Sequence, residues 1–251
     1  MTVRERFWPT KSGCTGSEKV PVNRVLQMST LGFVLSFLLA HAAAQQSPID
    51  QIIQKMDQAA ANFRSTEATF EWDQYQKVVD ETDSQKGKIY FRRSGGGIEM
   101  AADVTDPSPE QVLFSDSKVQ IFQPKIEQVT VYNTGKDKAA VESFLVLGFG
   151  GSGKDMLKSF DVKDLGAEKL GEVSTEKLEL TPKSQKLKNN IDRVLLWIDG
   201  ARGISVQQQF FTSSGDYKLA KYSDIKVNER LPDAAFKLRT TSKTKTVSPQ
   251  G

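Results

Sequence analysis

Thr66-Glu-Ala-Thr-Phe-Glu-Trp-Asp-Gln-Tyr75, Lys86-Gly-Lys-Ile-Tyr-Phe-Arg-Arg93 and Ile98-Glu-Met-Ala-Ala-Asp-Val104 follow one another and decide the fold. In the first stretch Thr66, Ala68, Phe70 and Trp72 alternate with Glu67, Thr69, Glu71 and Asp73. In the second, Gly87, Ile89, Phe91 and Arg93 share a face, so an arginine ends an apolar row. In the third, Ile98, Met100, Ala102 and Val104 oppose Glu99, Ala101 and Asp103. A period of two predicts three antiparallel strands with one apolar and one polar face. Glu81–Ser84 and Gly95–Gly97 are the expected turns.

Upstream, Ser47-Pro-Ile-Asp50 has the residue types of a helix start: a hydroxyl cap, proline at the first helical position and an acid in the first turn. Ile49, Ile52, Ile53, Met56, Ala60 and Phe63 then recur at helical spacing. The opposite face is not basic, which favours packing on a sheet over lying on a membrane. Downstream, Gln111–Phe114 and Lys118–Phe122 predict a hairpin across Ser115–Ser117, and Glu127–Tyr132 a further strand.

The pattern then changes. Asp137–Phe144 has helical character, Phe144–Phe149 is apolar on all sides, and Gly148, Gly150, Gly151 and Gly153 follow closely. Lys154–Phe160 is a second short helical stretch. An apolar insert flanked by glycines is either a lid over the apolar face or a core helix on a flexible connector. Strands resume at Asp161–Glu172 and Glu176–Thr181, with Leu178 and Leu180 inward. Lys183–Asn190 is expected to be a polar loop. Ile191–Asp199, apolar on both faces, is expected to be central. Ile204–Phe211 and Tyr217–Val227 complete the strands, Pro232–Phe236 closes the domain, and 240–251 is expected to be a flexible tail.

Residues 1–44 are expected to be an N-terminal extension and export signal. Arg24 precedes the apolar run Leu31–Ala40, and Ala42 and Ala44 fit a small-residue cleavage site before Gln45. An uncleaved anchor is the alternative, and the long stretch before Arg24 suggests a translation start nearer Met28. Residues 45–239 form the expected domain. From Gln45 onward, 29 basic residues balance 29 acidic ones, which gives no electrostatic case for nucleic acid. That part also lacks cysteine and histidine, the single copies being Cys14 and His41. Disulfides, thiolate nucleophiles, Ser-His-Asp triads and imidazole metal sites are therefore excluded there, and no cofactor is expected. An exported chain without disulfides suggests a bacterial periplasm.

Two apparent motifs carry little. Gly148-Phe-Gly-Gly-Ser-Gly-Lys154 nearly spells a phosphate loop, but Asp155 stands where a Ser or Thr would hold magnesium, and no βαβ unit surrounds it. Glu71 with Asp73, and Glu99 with Asp103, share strand faces and read as solvated charges rather than catalytic pairs.

The order of these elements resembles the LolA-like outer-membrane lipoprotein carriers. Lys88-Ile-Tyr-Phe-Arg-Arg93 is similar to the family's second-strand motif. Ser143–Leu147 with Asp155–Lys163 is similar to its lid segment. Leu178-Glu-Leu-Thr-Pro-Lys183 resembles its L-x-L-x-P strand, and Pro232–Phe236 its C-terminal element. The chain departs from the pattern at Ser94, where proline is usual, and in its glycine-rich stretch 148–153.

The resemblance implies a mainly β (α+β) fold: a curved, incomplete antiparallel barrel closed by an N-terminal helix and a helical lid around a hydrophobic cavity. It implies a monomeric, non-enzymatic periplasmic carrier of acylated lipoproteins. Such a carrier loads from an inner-membrane ABC transporter of the LolCDE type and delivers to an outer-membrane acceptor, LolB-like in some bacteria. The acyl chains would lie on Phe70, Trp72, Ile89, Phe91, Ile98 and Met100 under lid residues Phe144, Leu145 and Leu147. Arg93 would control the lid by bonding backbone carbonyls, or else is a plain surface arginine. A periplasmic lipid-sensing or envelope-binding module of the same fold is the competing reading. A carboxylate hydrolase is a further one, with no convergent acids to support it.

Overall fold

The computed structural model describes residues 47–95, 97–135, 145 and 147–249. The expected signal in 1–44, the helical stretch 137–144 and Phe144 itself lie outside them. Helix α1 (Pro48–Asn62) starts as its sequence dictates. The Ser47 hydroxyl accepts the Asp50 amide at 3.3 Å and donates to its carboxylate at 2.7 Å.

Six strands follow: β1 (Ser65–Gln76), β2 (Glu81–Ser94), β3 (Gly97–Asp106), β4 (Glu110–Ser115), β5 (Lys118–Gln123) and β6 (Gln128–Asn133). After helix α2 (Gly153–Ser159) come β7 (Phe160–Leu170), β8 (Val173–Pro182), helix α3 (Gln185–Lys188), β9 (Arg193–Asp199), β10 (Ile204–Phe211), β11 (Tyr217–Val227) and β12 (Lys245–Val247). The strands form one open sheet in the order β12-β6-β5-β4-β3-β2-β1-β11-β10-β9-β8-β7. It is two antiparallel meanders, β1–β6 and β7–β11, joined where β1 pairs with β11. The mainly β curved sheet therefore stands as expected, with β9 an interior strand between β8 and β10.

The sheet bends around α1. Ile52, Ile53 and Met56 pack on Leu178, Leu180, Val194, Leu196 and Ile198 of β8 and β9. Phe63, just past the helix, packs on Phe70, Ile89, Phe91, Met100 and Phe114 of β1–β4. Alternation puts these residues on one face because a single-residue slip would turn every one of them to water.

Four local expectations change. Glu81–Ser84 is not a turn; β2 begins at Glu81 and the chain reverses over 77–80. Polar side chains extend the hairpin there, with Ser84 donating to Asp73 at 2.6 Å. Lys183–Asn190 contains α3, because Ser184 accepts the Leu187 amide as an N-cap. Lys245–Val247, within the expected tail, pairs in parallel with Gln128–Thr130 of β6. The outer face of β2–β4 is also not plainly wet. Tyr90, Ala101 and Leu113 form a separate, outer cluster under Phe236. The Arg92 guanidinium lies 3.9 Å from the Phe236 ring centre and binds Glu99 at 2.6 Å and Asp233 at 2.8 Å.

The paired carboxylates are taken up by cations across strands. Lys221 binds Glu71 at 3.0 Å and Asp73 at 2.9 Å, and Lys86 binds Glu71 at 3.0 Å. Asp103 binds Arg239 at 2.6 Å. Hydrogen bonds from Lys221 and then Lys86 hold the Glu71 carboxyl below its ordinary pKa. Burial raises the Asp73 carboxyl, but the Ser84 hydroxyl and Lys221 outweigh it, and its net pKa is lowered. Carboxyls depressed by folding stabilise the fold above their unfolded pKa and lose that contribution as pH falls through the folded one. Stability should therefore decline below about pH 4, and Lys221→Met should flatten the decline. Denaturation midpoints from pH 7 to pH 2 check this; equal acid slopes in both proteins would refute it.

Candidate functional site: the inner face and its rim

The concave face carries the residues singled out by sequence. Phe70, Ile89, Phe91, Ile98 and Met100 are buried in one cluster with Phe63, Phe114 and Phe149. Trp72 and Leu145 pack against that cluster, half-buried, while Leu147 belongs to the second cluster with α1 and β8–β9. Phe144 lies outside the described residues.

The space over this face is filled from within. Phe149 is 1% exposed. Its ring stacks on Phe91, centroids 5.5 Å apart, and meets Tyr222 edge-on at 4.6 Å. Sequence reading places Phe149 at the end of an apolar insert, a lid or a core helix, but does not name it among the residues of the inner face. The signal was a single aromatic between two glycines. Gly148 and Gly150 have φ of +85° and +90°, which L side chains rarely adopt. A Cβ on Gly148 would stand 2.3 Å from Ser205 Cβ, and one on Gly150 would stand 2.5 Å from the Phe63 ring. Both glycines are therefore required for the Phe149 ring to enter.

Neighbouring backbone holds the plug loop. The Ser205 amide donates to the Gly148 carbonyl at 2.8 Å, and the buried Gln208 side chain donates to the Leu147 carbonyl. Ser152 caps α2 by accepting the Asp155 amide at 3.0 Å. The Lys154 amide, which a phosphate loop would offer to an anion, donates instead to Asp57 of α1 at 3.0 Å. Gly150→Ala should cost about 2 kcal/mol, from a left-handed alanine and a displaced Phe63. Urea unfolding measures it; a loss under about 0.5 kcal/mol would show that the loop is not fixed as described.

Arg93 stands at the rim, where the β2 row ends. Its Nε donates to the Phe63 carbonyl at 3.1 Å, and Nη2 to the carbonyls of Ala60 at 3.3 Å and Gly150 at 3.4 Å. The first two acceptors belong to the C-terminal end of α1, where free carbonyls and the helix dipole favour a cation. The third belongs to the plug loop. One guanidinium thus joins β2, α1 and the loop over the apolar face. Beside it opens a cleft of about 660 Å³, bounded by α1, the plug loop and α2, with Met56, Ala60, Ile98 and Phe160 among its walls and Asp57 and Lys158 at its edge. That volume falls in the range of small-ligand pockets.

The inner wall is thus aromatic, Phe149 fills it, and Arg93 joins the Phe149 loop to β2 and to the end of α1. The chain is 28% identical over 211 residues to an outer-membrane lipoprotein carrier protein of Dechloromonas aromatica (strain RCB), spanning 84% of this chain and 90% of that one. It is 26% identical over 210 residues to the protein of the same description from Pseudomonas putida (strain W619), spanning 83% and 89%. In fold it resembles an uncharacterized conserved protein of Thermus thermophilus, with a TM-score of 0.51, 12% identity, and coverage of 80% of this chain and 98% of that one. It also resembles MucB, with a TM-score of 0.50 and 12% identity, spanning 77% of this chain and 64% of MucB. The family described as outer membrane lipoprotein carrier protein LolA matches residues 61–239, the whole sheet up to its last strand together with Arg93 and the Phe149 loop, and the chain belongs to that family.

Proposed function

We propose that this protein is a periplasmic carrier that shelters the acyl chains of lipoproteins on its concave face and delivers them to the outer membrane. The observation that carries the reading is the aromatic inner face occupied by Phe149, a residue on a loop latched by one arginine. Cargo would come from an inner-membrane ABC transporter of the LolCDE type and pass to an acceptor such as a LolB-like protein.

Magnitudes support a plug that gives way. Each acyl methylene removed from water stabilises by about 0.8 kcal/mol. Exposing one phenylalanine costs about 1.5–3 kcal/mol. Roughly four buried methylenes therefore offset the loss of Phe149 from its place. The rest of a long chain gives net binding, reduced by ordering of the chain and opening of the loop. The same plug aids release, because Phe149 refills the face as the chain departs and no empty apolar cavity remains.

Arg93 acts as the latch in this scheme. Opening breaks its bond to Gly150 while those to Ala60 and Phe63 can persist, so the loop moves and α1 stays. Leu145 and Leu147 move with the loop and contribute apolar surface to the chain.

Native mass spectrometry of residues 45–251 with a triacylated lipopeptide tests the proposal. One peptide bound per chain, with none for the deacylated peptide, is the expected result. Equal behaviour of the two peptides would overturn it. Retention of free lipid with no transfer of lipopeptide to outer-membrane vesicles would favour the sensing module instead.

A further inference from the structure

The concave face has a cation at each end, and the two are differently employed. Arg93 ends the β2 row and is engaged by three backbone carbonyls. Lys218 of β11 lies opposite Gln74 of β1 and Phe210 of β10. Phe210 faces Val194, a fully buried inner residue. Directly opposed residues share a face, so Lys218 is on the inner wall as well. Between the two cations runs an aromatic row. Lys218 Nζ lies 5.5 Å from the Trp72 ring centre. Trp72 stacks on Phe70 at 4.0 Å and packs with Tyr222 on the same apolar cluster; Tyr222 meets Phe149, which stacks on Phe91.

Lys218 has no carboxylate within ion-pair distance among the described residues, and its one close partner there is the Trp72 ring. In register with it the nearest inner-face acid is Asp83, two strands away across Gln74, hence about 10 Å distant. On the outer face of the same strand, by contrast, Lys221 binds both Glu71 and Asp73. The Lys218 side chain is exposed, so its ammonium meets water beside the Trp72 ring at the open end of the face, where the headgroup of a bound amphiphile would also lie.

We propose that Lys218 and Trp72 form an anion-reading subsite at the far end of the acyl-binding face, which takes the phosphate or carboxylate of an amphiphile whose chain lies along the aromatic row. The inference rests on the carrier reading and adds the class of ligand: anionic rather than neutral amphiphiles. Ten residues of β2 separate Arg93 from Asp83, the partner of Gln74, so the two cations stand about 30 Å apart along the strands. That is two acyl lengths, taking each as half of a ~30 Å hydrocarbon core. A headgroup at Lys218 would therefore leave the Arg93 latch free to move.

Isothermal titration of the whole domain with dodecyl phosphate, dodecanoate and monododecanoyl glycerol tests this. The wild type should bind at least one anionic probe about fivefold or more tightly than the neutral one. Lys218→Met, which keeps the apolar stem, should lose that preference and hold the neutral probe unchanged; Lys218→Arg should keep it. Preference for phosphate alone identifies a phosphate headgroup, and equal preference identifies a general anion site. Equal binding of all three probes by the wild type, or an undiminished preference in Lys218→Met, overturns the inference and leaves the carrier reading standing. Binding of none overturns both.

Discussion

Phe149→Ala is expected to lower stability by about 3 kcal/mol and to tighten acyl-ligand binding by about tenfold. The first effect follows from burial. The ring is 1% exposed and packs on Phe91 and Tyr222, and deletion of such a ring in a core costs about 3–5 kcal/mol. Here the low end is expected, since the ring sits on a loop whose surroundings can close partly over the gap. The second effect has the opposite sign to ordinary core damage. A ligand that must expel Phe149 gives up about 1.5–3 kcal/mol, and the variant removes that cost. Urea unfolding and titration with a triacylated lipopeptide measure the two quantities. Loss of stability with weakened or unchanged binding would make Phe149 plain core.

Arg93→Leu is expected to raise the open fraction of the plug loop about tenfold with little global unfolding. A hydrogen bond to a charged donor contributes about 1.5–3 kcal/mol, and the exposure of this rim puts the net effect at the low end, about 1.4 kcal/mol. Leucine keeps the apolar stem over the Phe63 ring, whose centre lies 5.8 Å from the guanidinium carbon. Hydrogen exchange at the Ser205 and Lys154 amides reads the loop, because these donate to Gly148 and to Asp57. Faster exchange there, with the β8–β9 ladder unchanged, is the expected outcome. Unaltered exchange would reduce Arg93 to a surface arginine. Arg93→Lys should fall between, since a lysine cannot reach three carbonyls in a fixed fork.

The first three strands were legible because one of their faces is buried. Alternation over Thr66–Trp72, Lys86–Arg93 and Ile98–Val104 encodes that burial directly. The helix start at Ser47 was equally plain, since cap chemistry is local. What could not be read depends on distant partners. The hairpin runs on through Glu81–Ser84 because polar side chains there meet Asp73 and Gln76 across the strand, not because of any apolar pattern. Lys245–Val247 is exposed throughout and pairs only through its backbone, which leaves no mark in composition. The outer cluster under Phe236 was hidden for a different reason. Arg92 and Glu99 look like a solvated face until Asp233 and Phe236 are laid over them. Phe149 is the main omission. Its surroundings, Phe63, Phe91 and Tyr222, come from three distant parts of the chain; the apolar run Phe144–Phe149 showed that the segment covers something, and only the flanking glycines hinted which ring enters.

The central claim is that an acyl chain takes the place of Phe149 on the inner face. Hydrogen exchange of the Ser205 amide, with and without saturating triacylated lipopeptide, tests it most directly, because that amide is protected by the Gly148 carbonyl of the plug loop at 2.8 Å. The account predicts that protection at Ser205 is lost when the lipopeptide binds, while the amides of β8 and β9 keep theirs. Full protection at Ser205 in a chain shown to hold the lipopeptide would contradict it.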